Sequence, residues 1–80
     1  MTAVCKLHNH GSTPLTLQFE PEGTELALFP GDGATIEATG SPGLFTLAVH
    51  DGPFGTYVLI YPEGESDYTV RHGGRVVRSP

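Results

Sequence analysis

Hydrophobic and polar positions along this chain alternate with a period of two, segment after segment. Ala3, Cys5 and Leu7 alternate with Val4, Lys6 and His8, and Leu15, Leu17 and Phe19 with Thr16, Gln18 and Glu20. Leu26 and Leu28 follow, then Ala34, Ile36 and Ala38 against Thr35, Glu37 and Thr39. Phe45, Leu47 and Val49 alternate with Thr46, Ala48 and His50, and Tyr68 with Val70, then Val76 and Val77, close the series. Side chains on an extended strand project to opposite faces in turn, so each run predicts a strand with one buried face. The stretch TYVLIY, residues 56–61, is apolar on both faces and predicts a central strand covered on both sides.

Between these runs lie NHGSTP, EPEG, PGDG, GSPG, DGPFG, PEGE and HGG, each carrying glycine and most also proline, aspartate or asparagine. Such clusters recur every 8–12 residues or so, the spacing of sandwiches and barrels. In His72-Gly73-Gly74-Arg75 the paired glycines suit a two-residue hairpin that requires positive φ. No ten-residue window both lacks a breaker and carries a helical stripe. The expectation is an all-β single domain over residues 1–80, a compact antiparallel β-sandwich or flattened barrel of seven or eight short strands. PEG occurs at 21–23 and again at 62–64, about half a chain length on. This echo fits either a duplicated four-strand unit or the small vocabulary of β-turns.

Eighty residues limit the core, since a chain this short buries only about 60–65 % of its unfolded surface. The single cysteine, Cys5, rules out an internal disulfide, and no zinc-finger spacing is present. Self-association is the remaining common source of stability for such a domain. The opening Met1-Thr2-Ala3-Val4-Cys5-Lys6 has no basic region leading into an apolar run, and no apolar stretch approaches about 20 residues. No membrane contact and a cytoplasmic setting are expected.

Charge is unevenly distributed within the net −5. All nine acidic residues lie between Glu20 and Asp67, a span without Lys or Arg, whereas Arg71, Arg75 and Arg78 follow it. Phosphate backbones are held by clustered Lys and Arg, so nucleic acid is not an expected partner.

The candidate chemistry is sparse. His8 and His10 are two residues apart and share a face if extended, a spacing used by metal sites on sheets; His50 is the candidate third ligand. The plainer reading makes His8 a solvent-facing strand residue and leaves His10 in a turn shaped by Asn9 and Gly11. The letters His-Asn-His match the name of a nuclease motif, but that motif is three separated residues on a strand-and-helix metal finger with a basic surface nearby. Cys5 reads as core, because Lys6 projects to the opposite face and supplies no thiolate-stabilising charge. FPGDGAT, residues 29–35, resembles a phosphate loop without its lysine or its helix. Glu20, Glu22 and Glu25 around one turn read as a solvated acidic rim. No cofactor is expected, and no general acid or base is placed in a recognisable pocket, so an enzyme is not expected.

Tyr57, Leu59 and Tyr61 share one face of the strand 56–61, with Val58 and Ile60 on the other, and Tyr68 begins a strand that is a candidate to pair with it. The face bearing Tyr57, Leu59 and Tyr61 is either core or a contact surface. Arg71, Arg75 and Arg78 are candidates for pairing with an acidic face of a neighbouring subunit or strand, or for guarding an open edge.

The segment LHNHGSTPLTLQFEPEGTELALFPGD, residues 7–32, resembles small uncharacterised bacterial β-sandwich proteins with an Asn turn, then Pro-Leu-Thr-Leu, Glu-Pro-x-Gly and Pro-Gly. Asn9, Pro14 to Leu17, Glu20-Pro21, Gly23 and Pro30-Gly31 carry the match, and Glu22 stands where those proteins often have Trp. The resemblance implies a β-sandwich and brings no activity. The order of strands and turns is also similar to the β domain of the von Hippel–Lindau tumour suppressor, which implies peptide binding; the tryptophan of such an aromatic pocket is missing here. The function expected from the whole is a non-enzymatic interaction or assembly module, a homo-oligomer or the binder of a protein partner. The alternative is a small-ligand or metal-binding module using His8, His10 and His50.

Overall fold

A computed structural model of the protein describes residues 3–80. Met1 and Thr2, at the head of the segment read above for a secretory signal, lie outside the described residues. Eight strands follow one another: β1 (Val4–His8), β2 (Leu15–Phe19), β3 (Thr24–Leu28), β4 (Gly33–Thr39), β5 (Phe45–Gly52), β6 (Gly55–Pro62), β7 (Asp67–His72) and β8 (Arg75–Arg78). No helix occurs among the described residues.

The strands form two four-stranded sheets, β1-β4-β7-β8 (sheet one) and β3-β2-β6-β5 (sheet two). No strand of one sheet pairs with a strand of the other, so the molecule is a sandwich and not a closed barrel. The alternation explains the stacking, because each sheet has one apolar face and the two faces exclude water together. Leu17, Phe19 and Leu28, with Val58 and Ile60, meet Ala34, Ile36, Tyr68 and Val70 from the opposite sheet in one buried cluster. Cys5 and Leu7 pack against its margin, with Leu15, Leu26, Phe45 and Leu47.

Five of the strand pairings are antiparallel, but β2 and β6 run parallel, from Thr16 opposite Tyr57 to Phe19 opposite Ile60. The expectation of uniformly antiparallel pairing is corrected here. The chain crosses between sheets after β1, β3, β4 and β6, and the crossings after β3 and β4 set the β5–β6 ribbon beside the β2–β3 ribbon with β6 aligned to β2. Strand direction at such a join is a property of the crossings and leaves no mark on local alternation. Tyr68 is corrected for the same reason. It lies on β7, which pairs with β4 in sheet one and not with β6.

The half-chain echo resolves similarly. β5 to β8 follow β1 to β4 at nearly the PEG offset, yet β1 pairs with β4 while β5 pairs with β6. The halves therefore do not form equivalent units, and recurrent turn chemistry accounts for the repetition. At the β7–β8 turn, Gly73 and Gly74 take φ of 60° and 75°, as the two-residue hairpin requires.

Two buried polar residues organise the loops at the sandwich ends. Asn9 donates from Nδ2 to the carbonyls of Thr13 and Leu28, both at 2.9 Å, and its Oδ1 accepts from the Gly11 N–H at 2.9 Å. Its own backbone bonds Asp32 and Gly31, so every polar group of this residue is matched and two loops are held together. Ser66 Oγ accepts from the N–H groups of Gly43 at 2.8 Å and Leu44 at 3.2 Å, joining the β4–β5 and β6–β7 connections.

Candidate functional site

The parity of β6 decides where its apolar residues point. Val58 and Ile60 enter the core, so Tyr57, Leu59 and Tyr61 stand on the outer face of sheet two. The strand is central, between β2 and β5, but it is covered on one side only. Coverage of both faces, expected from TYVLIY, is thus corrected: no element among the described residues lies over the outer face, and Tyr61 is 38 % exposed. Register places Thr16 and His50 beside Tyr57, Gln18 and Ala48 beside Leu59, and Thr46 beside Tyr61.

His50 stacks on Tyr57, with ring centroids 5.1 Å apart and planes 11° from parallel. Next to this pair a groove of about 260 Å³ runs between the β5–β6 turn and the outer face, lined by Pro14, Thr16, Gln18, Glu25, Phe54 and Tyr57 among others. Phe54, at the tip of that turn, is fully exposed, and Val49 is 70 % exposed. Val49 shares the inward parity of Phe45 and Leu47, but β5 is the last strand of its sheet and nothing from sheet one reaches over it there.

The histidines do not converge. The rings of His8 and His10 lie 4.2 Å apart at the end of β1, in sheet one, while His50 stacks on Tyr57 in sheet two. Among the described residues no group of three His, Cys, Asp or Glu side chains is placed to hold a metal ion. The proposed trio is corrected on this geometry: β1 and β5 belong to different sheets, and sequence spacing alone cannot place them together.

The arginines also separate. Arg71 lies 3.6 Å from Glu37 on the surface, and Arg75 is exposed at the β7–β8 turn. Arg78 is different. Its side chain is only 8 % exposed, and it donates to both carboxylate oxygens of Glu22, at 2.7 and 3.0 Å, and to Asp67 and the Tyr68 carbonyl. Of the pairings offered above, with a neighbouring subunit or a neighbouring strand, Arg78 makes its own within its own chain.

These contacts move several ionisation equilibria. Hydrogen bonding from Arg78 holds the Glu22 carboxyl below the usual range, and the same bonds push the Arg78 guanidinium still further toward its charged form. Burial pushes the Tyr68 hydroxyl well above its ordinary value. The His72 Nε2, 2.6 Å from Asp32 Oδ2, lowers the Asp32 carboxyl, assisted by the Gly33 N–H at 3.0 Å.

Sequence reasoning missed the Asp32–His72 pair, the burial of Asn9 and the inward turn of Arg78. The residues lie 40 apart in the first case, and only the β4–β7 register brings them together. Asn9 carried a signal that was read as turn chemistry alone. Set against known protein families, curated proteins and solved structures, the chain matches no family model, no curated protein and no solved structure.

Proposed function

We propose that this protein is a non-enzymatic interaction module that associates with itself through sheet two. The observation that carries the reading is the row Tyr57, Leu59 and Tyr61 on a central strand whose outer face has no cover. Exposed Phe54 extends that apolar surface at the β5–β6 turn, and exposed Val49 adds apolar area on the other face of the β5 edge. Contiguous apolar area of this kind marks contact surfaces, and a small domain with no disulfide gains stability by burying it. The carboxylates and arginines that stand out electrostatically are matched within the fold, which supports a binding role over a chemical one.

Light scattering across a concentration series, with and without EDTA and added zinc, tests the reading. A dimer or larger assembly, unaffected by EDTA and shifted toward monomer by Leu59→Asn, is the expected result. A monomer at every concentration overturns it. An assembly that forms only with zinc transfers the argument to the adjacent His8 and His10.

A further inference from the structure

A sandwich of two four-stranded sheets has four edge strands, and each presents unpaired backbone groups to any strand that approaches. Natural sheets protect such edges with short length, charge, proline or bulges. Three edges here carry those devices. β1 has five residues with exposed Lys6 in the middle, and β3 has five with exposed Glu25. β8 has four, begins and ends with arginine, and joins β7 through a register shift at Val70/Arg71.

β5 is the least protected. It is eight residues long, its one charge, Asp51, sits near its end, and Phe45-Thr46-Leu47-Ala48-Val49-His50 contains no Lys, Arg, Asp, Glu, Pro or Gly. The direction of its free backbone groups follows from one hydrogen bond. The Ile60 carbonyl accepts from the Glu20 N–H at 3.0 Å, on the β2 side of β6. Backbone groups of successive residues point to opposite edges, so Tyr57, Leu59 and Tyr61 bond toward β5, at His50, Ala48 and Thr46. Phe45, Leu47, Val49 and Asp51 are left with N–H and C=O directed away from the sheet.

We propose that this edge pairs antiparallel with β5 of a second copy across a two-fold axis at Ala48, joining the two copies of sheet two into one continuous sheet. In this register Leu47 of each copy lies opposite Val49 of the other, and Phe45 lies opposite Asp51. The bonded positions are the ones whose backbone groups face outward. The small Ala48 side chains meet on the axis, and Leu47 covers the exposed Val49 of the other copy. A two-fold contact needs a patch complementary to itself, and the exposed Val49 of each copy meeting Leu47 of the other supplies it. The inference rests on the self-association reading and adds an edge contact to it; the outer row Tyr57, Leu59 and Tyr61 stays free in this pairing for a face-to-face contact.

The test places cysteines on the edge in a Cys5→Ser background. At a non-hydrogen-bonded antiparallel pair the α-carbons stand about 4.5 Å apart, within disulfide range, so Ala48→Cys should cross-link under mild oxidation. Ala27→Cys, on the β3 edge, should not. The Leu47 and Val49 amides should exchange at least roughly tenfold more slowly in concentrated than in dilute protein, as expected when an edge strand gains a partner. Val49→Lys alters a side chain that is already exposed, so its circular dichroism should match the parent while dimer affinity falls by about a hundredfold, because a lysine on an edge strand opposes pairing. A dimeric parent whose Ala48→Cys variant stays unlinked and whose edge amides exchange at the same rate at all concentrations overturns the β5 pairing and leaves self-association standing. A parent that is monomeric throughout overturns both.

Discussion

The Arg78 guanidinium lies over the ring of Tyr68, 3.7 Å from its centroid, while the Tyr68 hydroxyl reaches across the sandwich to the Glu20 carbonyl at 2.9 Å. One side chain thus ties sheet one to the β2–β3 turn through its hydroxyl, and the other reaches the same turn through Glu22. Phe19 and Phe45 rings, each 6.4 Å from that of Tyr68, complete an aromatic centre.

Arg78→Ala should destabilise the fold by about 2 kcal/mol. Removing one partner of a fully buried pair costs more, but Glu22 and Asp67 keep part of their hydration here and reduce the loss. Arg78→Lys should recover less than half, because one ammonium cannot reproduce the fork to Glu22 together with the bond to Asp67. Urea unfolding midpoints measure both, and equal midpoints for parent and Arg78→Ala dismiss the tie.

Tyr68→Phe keeps the ring and removes only the hydroxyl, which bonds the carbonyls of Glu20 and, at 3.3 Å, Ile60. The Ile60 carbonyl retains the Glu20 N–H, so the cost is that of one orphaned carbonyl, about 1–2 kcal/mol. The unfolding midpoint should fall without a change in the urea slope.

Asn9→Asp separates shape from chemistry. The variant is nearly isosteric, but it replaces the two donated bonds with a carboxylate facing the Thr13 and Leu28 carbonyls. It should cost as much as Asn9→Ala or more, about 2–3 kcal/mol at neutral pH, and regain stability as acid protonates the new carboxyl. Thermal unfolding at pH 7 and pH 4 gives the comparison; an Asp variant as stable as the parent at pH 7 removes the amide from the account.

Asp32 predicts the acid limb of the stability profile. Its folded-state pKa lies below the unfolded value because His72 bonds the ionised form. The stabilisation is therefore complete above the unfolded-state pKa, about 4, and is lost as pH falls through the lower folded value. Glu22 acts in the same direction through Arg78. Asp32→Asn should lose stability less steeply as pH falls below about 4, as read by chemical unfolding at fixed pH; an unchanged slope leaves the acid limb to Glu22 and other carboxylates.

The strands and their inward faces were legible because alternation is local: Leu17, Phe19, Ile36 and Val70 reach the core with the parity that the sequence assigns. The outer row Tyr57, Leu59 and Tyr61 was legible as one face, but its exposure was not, since a two-sided apolar strand fits a buried setting equally well. Arg78 and His72 became intelligible only through register. The bulge between β7 and β8 brings Arg78 opposite Val70, on the inward side, where a charged strand residue is not expected. The parallel join of β2 and β6 depends on two crossings between sheets, after β3 and after β4, and no residue within either strand records it.

That join has a consequence for how the molecule comes into being. Residues up to Thr39 supply only two ribbons, β1–β4 and β2–β3, and the central seams, β4 against β7 and β2 against β6, each await a strand from the second half. A ribosome releasing this chain presents the first half with its apolar faces open and no partner yet synthesised. Both seams close between distant residues, as in topologies that fold slowly and all at once. The polypeptide is indivisible in time as well as in space: cut near Gly40, each piece keeps two-stranded ribbons and neither retains a four-stranded sheet.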